Sequence, residues 1–196
     1  MRLKLLHLSW SSCQKLIESI ATQIKKSGFK SDLIVAVSRG GFIPARILCD
    51  QLSLKRLISL QIEYYQDIGE RRVSPKMIYP LNADVKDLRI LLVDDISDSG
   101  SSLRFARDHI LSLEASKAKT ATMHVKPWTS FNPDYYAKKT DAWIVYPWEP
   151  LETANAIARK LRLEGLNGEE LKKRLINLGF SKRVVNKVDL DFYSSI

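Results

Sequence analysis

A chain of 196 residues has the length of one domain with room for a small appendage. Its 45% hydrophobic content can build a proper core, and no apolar run approaches the ~20 residues that a bilayer-spanning helix needs, which excludes a membrane span. The net charge of +9 directs attention to nucleic acid, to a phosphate-rich ligand, or to a solvated basic face.

The opening MRLKLLHLSW is too short, and too polar afterwards, for a secretory signal, so the cytoplasm is the expected compartment. Ser9 to Ser27 reads as an amphipathic helix. Leu16, Ile17, Ile20 and Ile24 recur at helical spacing, and Gly28 is a natural stop. LIVAV, 33–37, is a continuous apolar run, as a strand buried on both faces should be. It ends in SRGG, and FIPARILCDQL follows as a helix. RLISLQIEYY, 56–65, is the next strand. Residues 66–87 are polar, charged and without periodicity, and a stretch of that length is usually functional or mobile. The two cysteines, Cys13 and Cys49, fall on predicted helices without metal-type spacing and read as reduced thiols.

Strand 88–93 ends in adjacent aspartates and is followed by a helix over 101–114. Strands at 119–125 and 142–146 come next, then a helix over 150–161 with Pro150 near its start. Beyond Gly165 two short helices are expected, the second capped by Ser181. Residues 159–187 hold nine Lys/Arg and three Asp/Glu, a net +6. That excess is read as a solvated face on a packing helix rather than a nucleic-acid contact. Strands alternating with helices predict an α/β fold, a mostly parallel twisted sheet with helices on both faces, plus a small helical C-terminal extension. The expected division is 1–164 for the main domain and 165–196 for the extension.

In such sheets ligands bind beyond the carboxyl ends of the strands. Asp94 and Asp95 stand at the end of the third predicted strand. Asp98, Ser99, Gly100, Ser101 and Ser102 make the turn into the helix. Successive backbone N–H groups at a helix start, with serine hydroxyls beside them, suit an anion. The two carboxylates suit sugar hydroxyls or a hydrated divalent cation. Together they match a ribose 5-phosphate. The competing reading is an ordinary capped helix start, with Asp98 or Ser101 as the cap. It leaves two adjacent acids after a buried strand unexplained.

LLVDDISDSGSS resembles the phosphoribosyl diphosphate (PRPP) motif of the type I phosphoribosyltransferases, with Ser101 and Ser102 where that family usually ends its loop in threonine. SRGG, Ser38, Arg39, Gly40 and Gly41, resembles the family's pyrophosphate loop, and a non-proline cis peptide is implied, most naturally at Ser38–Arg39. The resemblance spans about residues 30 to 155. It implies a lid drawn from 64–80, with Tyr64, Tyr65, Arg71, Arg72 and Lys76 available to cover PRPP. In KPW, 126–128, Lys126 matches a lysine that meets the purine 6-oxo group in the xanthine–guanine branch. In WIVYPWE, 143–149, Trp143 would stack on the base, and main-chain groups near Ile144 would read its 2-position. Trp148 and Glu149 would close or support the pocket, and 126–155 as a whole would be the base-binding segment. Trp10 and Trp128 are left as core or surface residues.

The implied function is purine salvage: transfer of the phosphoribosyl group from PRPP to guanine, xanthine or hypoxanthine. Asp98 would manage a proton near N7. Asp94 and Asp95 would hold the ribose hydroxyls and Mg2+, the metal through water. A homodimer or homotetramer is implied, with no membrane partner. A PRPP-sensing regulator that binds nucleic acid through its basic tail is the alternative from another class, and salvage of uracil is a third reading.

Overall fold

A computed structural model describes residues 4–65 and 74–188. Its elements run β1 (Leu5–His7), α1 (Trp10–Lys26), β2 (Leu33–Ser38), α2 (Phe42–Gln51), β3 (Leu57–Tyr65), β4 (Ser74–Tyr79), β5 (Arg89–Ser97), α3 (Ser101–Ser112), β6 (Lys117–Val125), β7 (Tyr135–Lys139), β8 (Trp143–Val145), α4 (Pro150–Leu163), α5 (Gly168–Asn177) and α6 (Lys182–Val185). Contacts divide the chain into two compact units, one of Gln14–Asp141 and one of Met1–Cys13 with Ala142–Ile196.

The larger unit holds a six-stranded sheet in the order β4-β3-β2-β5-β6-β7. Every neighbouring pair is parallel except β3 and β4. Both faces of β2 are covered, which is why its sequence lacks a polar alternate. Leu33, Val35 and Val37 pack with Ile90 and Leu92 of β5 and with Leu103, Ala106 and Ile110 of α3. Ile34 and Ala36 point the other way and are fully buried. Burying a residue of this kind contributes roughly 1.5–3 kcal/mol for the larger side chains, so the strand's pattern is also its stabilisation. The helix α2 packs against β2, β3 and β5.

The order places a switch between β2 and β5. From β2 the chain moves outward to β3, and from β5 it moves the opposite way to β6. Crevices of open α/β sheets form at such a point, beyond the carboxyl ends of the strands. Register fixes the level of those ends: Ala36 pairs with Val93, Val93 with Ala121, and Ser97 with Val125.

Three findings differ from the sequence expectations. First, 74–79 is not structureless but the edge strand β4, antiparallel to β3. Pro75 argues against a central strand but is tolerated at an edge, where no ladder N–H is required of it. Second, β5 does not stop at Val93. It continues through Asp94 and Asp95 to Ser97, because β6 keeps pairing with it that far. Third, the chain does not divide at 164/165. In the smaller unit β8 and α4 share one apolar core with the two helices beyond: Val145, Ala154, Ile157 and Leu161 pack with Leu171, Leu175, Phe180, Val185 and Val188. In that unit β1 and β8 form a two-stranded parallel sheet, Leu5 opposite Trp143. Ser181 caps α6 as expected, its hydroxyl accepting from the Val184 N–H at 3.3 Å. The basic side chains of 159–187 lie outside this core, all but Lys172 exposed.

Candidate functional site

Three strand exits of the larger unit carry the predicted residues. At the exit of β2, the Ser38–Arg39 peptide is cis. The chain then turns tightly, the Gly41 N–H donating to the Val37 carbonyl at 2.8 Å. Gly41 has to be glycine: a Cβ there would stand 2.6 Å from the Val37 carbonyl oxygen. Gly40 is needed for a different reason. A Cβ on it would stand 2.5 Å from Cγ of Asp95, so the missing side chain lets the acid of β5 lie against the first turn.

At the exit of β5, Asp94 and Asp95 border a cleft of about 190 Å3, further lined by Tyr64, Ser97, Asp98, Ser99, Gly100 and Ser102. Asp95 is 8% exposed and Asp94 half-buried. The Asp95 N–H donates to Asp94 Oδ1 at 2.9 Å. Burial pushes both carboxyls above the usual carboxylate range, and the neighbouring charge of Asp95 adds to the shift of Asp94. Two acids held at such a cost, beside a cleft, are suited to cationic or hydroxylic ligands.

Beside these acids is a cluster of hydroxyls at the start of α3. Ser99 and Ser101 hydroxyls lie 2.6 Å apart, Ser101 is 2.7 Å from the Tyr64 hydroxyl, and the Ser102 hydroxyl donates to Tyr64 at 2.7 Å. Burial works to raise the Tyr64 phenol, but these hydrogen bonds outweigh it and lower its pKa. Gly100 adopts φ +83°, and its missing Cβ admits Phe131 and the Thr129 hydroxyl, each 2.7 Å from where it would stand. Gly100 is also the N-cap of α3 and has no side chain to cap it; the Ser101 N–H donates to the Ser99 hydroxyl at 3.3 Å. The reading of Asp98 or Ser101 as a simple cap is therefore excluded. The residue before α3, Gly100, and the hydroxyl-bearing Tyr64, Ser99 and Ser102 line the same cleft as the two acids, where a helix start suits an anion.

At the exit of β6, Lys126 is 4% exposed. Burial lowers its pKa, and the charges of Asp98 and Asp141 partly restore it. Its ammonium lies 5.3 Å from the centroid of the Trp128 ring. The Trp128 indole N–H donates to Asp98 Oδ1 at 2.7 Å. Trp128 was not among the expected site residues, and the only sequence signal for it was its place two residues after a lysine that ends a buried strand.

The structure thus assembles Ser38–Gly41, Asp94, Asp95, Asp98–Ser102 and Lys126 on the larger unit. Trp143 and Ile144 belong to the smaller one, as β8 residues, the first 51% exposed and the second buried. In that unit Trp148 stacks on Tyr146, ring centroids 4.8 Å apart, and Trp10 lies 5.6 Å from it. Of the expected lid residues, Tyr64 lines the cleft and Lys76 sits on β4 opposite Glu63. Arg71, Arg72 and the Tyr65 side chain lie outside the described residues.

The chain is similar to known proteins over most of its length. A family model described as the phosphoribosyl transferase domain matches residues 8–153. A xanthine-guanine phosphoribosyltransferase of Gluconobacter oxydans is 32% identical over 132 residues, 66% of this chain and 74% of the relative. One from Idiomarina loihiensis is 29% identical over 145 residues, covering 72% and 85%. Among solved structures, a purine phosphoribosyltransferase from Pyrococcus horikoshii is 35% identical with a TM-score of 0.67, covering 74% of this chain and 94% of that one.

Proposed function

This chain belongs to the phosphoribosyl transferase domain family, and we propose that it is a purine salvage enzyme. It transfers the 5-phosphoribosyl group of PRPP to a 6-oxopurine, guanine, xanthine or hypoxanthine, releasing pyrophosphate and the nucleoside 5′-monophosphate. The observation that carries this reading is the cleft at the end of β5, lined both by two carboxylates and by the hydroxyl-bearing turn into α3. The xanthine-guanine relatives and the 35%-identical purine enzyme support the choice of base class.

In the reaction a purine nitrogen forms a bond to the anomeric carbon as the bond to the pyrophosphate oxygen breaks. Positive charge develops on the ribose ring and negative charge leaves with pyrophosphate, so fixed charges and dipoles aimed at both are the main source of acceleration. Asp94 and Asp95 accept from the ribose 2′- and 3′-hydroxyls. The turn 98–102 and the start of α3 bind the 5′-phosphate. Arg39 and the backbone N–H groups at Gly40 and Gly41 receive the diphosphate. Asp98 accepts a proton at N7 or holds one there, and the Lys126 ammonium donates to the 6-oxo oxygen.

Mg2+ fits the acidic pair. The donors are all carboxylate oxygens, which suit a hard cation, and two carboxylates suffice for a metal that keeps its waters and binds substrate phosphates. Among the described residues there is no larger His, Cys, Asp or Glu cluster for a metal cage. Asp94 and Asp95 would hold the ion through water, and its charge would neutralise the departing diphosphate. A homodimer or homotetramer and a cytoplasmic setting belong to the same reading; both cysteines are free thiols, and no helix among the described residues is long and apolar enough to cross a membrane.

The test is a panel of guanine, xanthine, hypoxanthine, adenine and uracil, each with PRPP and Mg2+, followed by chromatography for monophosphate. Product from the 6-oxopurines is expected. Product from adenine or uracil alone would overturn the choice of base, and no product with salt-sensitive binding of RNA or DNA would favour the regulator.

A further inference from the structure

We propose that Trp128 is a positioning residue for base recognition: its indole N–H holds Asp98 and its ring face holds Lys126, so one side chain sets the spacing of the two groups that read the purine. This inference rests on the function proposed above. It assigns a role that neither the PRPP site nor the expected base pocket requires.

The case begins with where Trp128 sits. It is 58% exposed, so burial of its ring does not explain its position. Both of its polar capacities are nevertheless in use. The N–H is committed to Asp98 Oδ1 at 2.7 Å, and the ring face lies 5.3 Å from the Lys126 ammonium. Phenylalanine offers the face without a donor, and glutamine offers a donor without the face.

The backbone around Trp128 is held firmly against the turn that carries Asp98. The Lys126 N–H donates to the Ser97 carbonyl at 3.0 Å, and the Ser130 N–H to the Ser99 carbonyl at 2.9 Å. The Ser130 hydroxyl reaches the same Ser99 carbonyl at 2.8 Å, and the Ser97 hydroxyl donates to the Phe131 carbonyl at 3.0 Å. Between these ties the Thr129 N–H closes a turn onto the Lys126 carbonyl at 3.2 Å. Residues 97–100 and 126–131 therefore form one stitched platform, with Pro127 and Trp128 at its raised edge.

The chemistry of the base fits that platform. A 6-oxopurine presents its oxygen and N7 side by side on one edge. An ammonium donor next to a carboxylate acceptor matches an oxygen beside a protonated N7. A carboxylate with one oxygen committed to the indole keeps the second for the base. A 6-aminopurine would turn a donor toward the ammonium. Small errors in the separation of the two groups weaken both contacts together, which is what a shared tether prevents.

The experiment uses the full chain with Trp128→Phe and Trp128→Ala. Steady-state rates are measured with hypoxanthine and guanine from pH 6 to 10, alongside melting temperature and the KM for PRPP. Losing the indole donor from Asp98 is expected to lower kcat about tenfold in both variants. The KM for PRPP and the melting temperature should stay near those of the wild type. The alkaline limb of kcat/KM for the base should move to lower pH in Trp128→Ala, where the ammonium loses the ring, and stay in place in Trp128→Phe, where a ring remains. An active wild type with either variant indistinguishable from it in both rate and pH profile overturns the inference alone. Equal losses in both variants that follow a drop in melting temperature also overturn it, because they describe a structural role. A wild type that makes no nucleotide from any base overturns the functional reading and this inference with it.

Discussion

Replacing Gly40 by alanine tests the acidic site through a contact that only the fold creates. A Cβ at that position would stand 2.5 Å from Cγ and 2.7 Å from Oδ1 of Asp95. Ordinary van der Waals contact begins near 3.4 Å, so the carboxylate has to retreat by about 1 Å. Gly40 is not in the left-handed region, so alanine adds no backbone strain of its own. A displacement of that size in a positioning group can cost on the order of 100-fold in rate. Loss of one hydrogen bond to a charged group gives a similar figure, ~1.5–3 kcal/mol. The assay is kcat/KM for PRPP by pyrophosphate release, beside a calorimetric melt. The expected result is a loss of about 100-fold with a melting temperature close to that of the wild type. Gly41→Ala is the control: its obstacles are the carbonyl oxygens of Val93 and Val37, strand backbone with no room to yield, so that variant should lose stability outright. Wild-type kcat/KM for PRPP in Gly40→Ala would refute the placement of Asp95 against substrate.

Lys126→Ala should lose ~1.5–3 kcal/mol of transition-state binding for 6-oxopurines, or roughly 10- to 150-fold in kcat/KM; equal efficiency before and after would remove Lys126 from the pocket. Asp98→Asn keeps an oxygen for the indole N–H but cannot take a proton, so turnover should fall on the order of 100-fold while PRPP affinity changes little, and an unchanged turnover number would count against the proton role. His124 is fully buried and its pKa is lowered to about 4, by burial first and then by the charges of Lys138 and Lys126. A folded pKa below the unfolded one means that the unfolded chain takes the proton first as pH falls, so this histidine's contribution is present above about pH 6.5 and is lost on descent towards pH 4. Urea unfolding at pH 7 and pH 4.5 should show the wild type losing roughly 2–3 kcal/mol more than His124→Gln, and equal losses would contradict it. Leu171→Ala, at a fully buried position in the core of the smaller unit, should cost ~2–5 kcal/mol there and speed amide exchange in α5 and α6; unchanged protection would contradict the shared core.

The parts of the molecule legible in its sequence are those whose physics is local. LIVAV and RILLV announce buried parallel strands because both faces exclude polar residues, and SRGG and DSGSS announce turns because glycine and small hydroxyl residues have few other reasons to cluster after a strand. What stayed hidden depends on partners distant in sequence. Asp94 and Asp95 read as a turn because their propensity is poor for strand, yet β6 pairs beyond them and carries the ladder to Ser97. The strand β4 was masked by Pro75, and β1, of three residues, offers no period to detect. The boundary near 164 looked plausible because Gly165 ends a helix, but the apolar faces of α5 and α6 pack into one core with residues of β8 and α4. Trp128 was the costliest omission. A tryptophan after a strand reads as core or surface, and its bond to Asp98, thirty residues away, has no local signature.

The account depends above all on PRPP being held at the end of β5, and isothermal titration calorimetry of the chain with PRPP and Mg2+ measures that directly. A saturable heat of binding is predicted, lost when Asp94 and Asp95 are both replaced by asparagine. No heat with the wild type, or equal heat with the double variant, would contradict it.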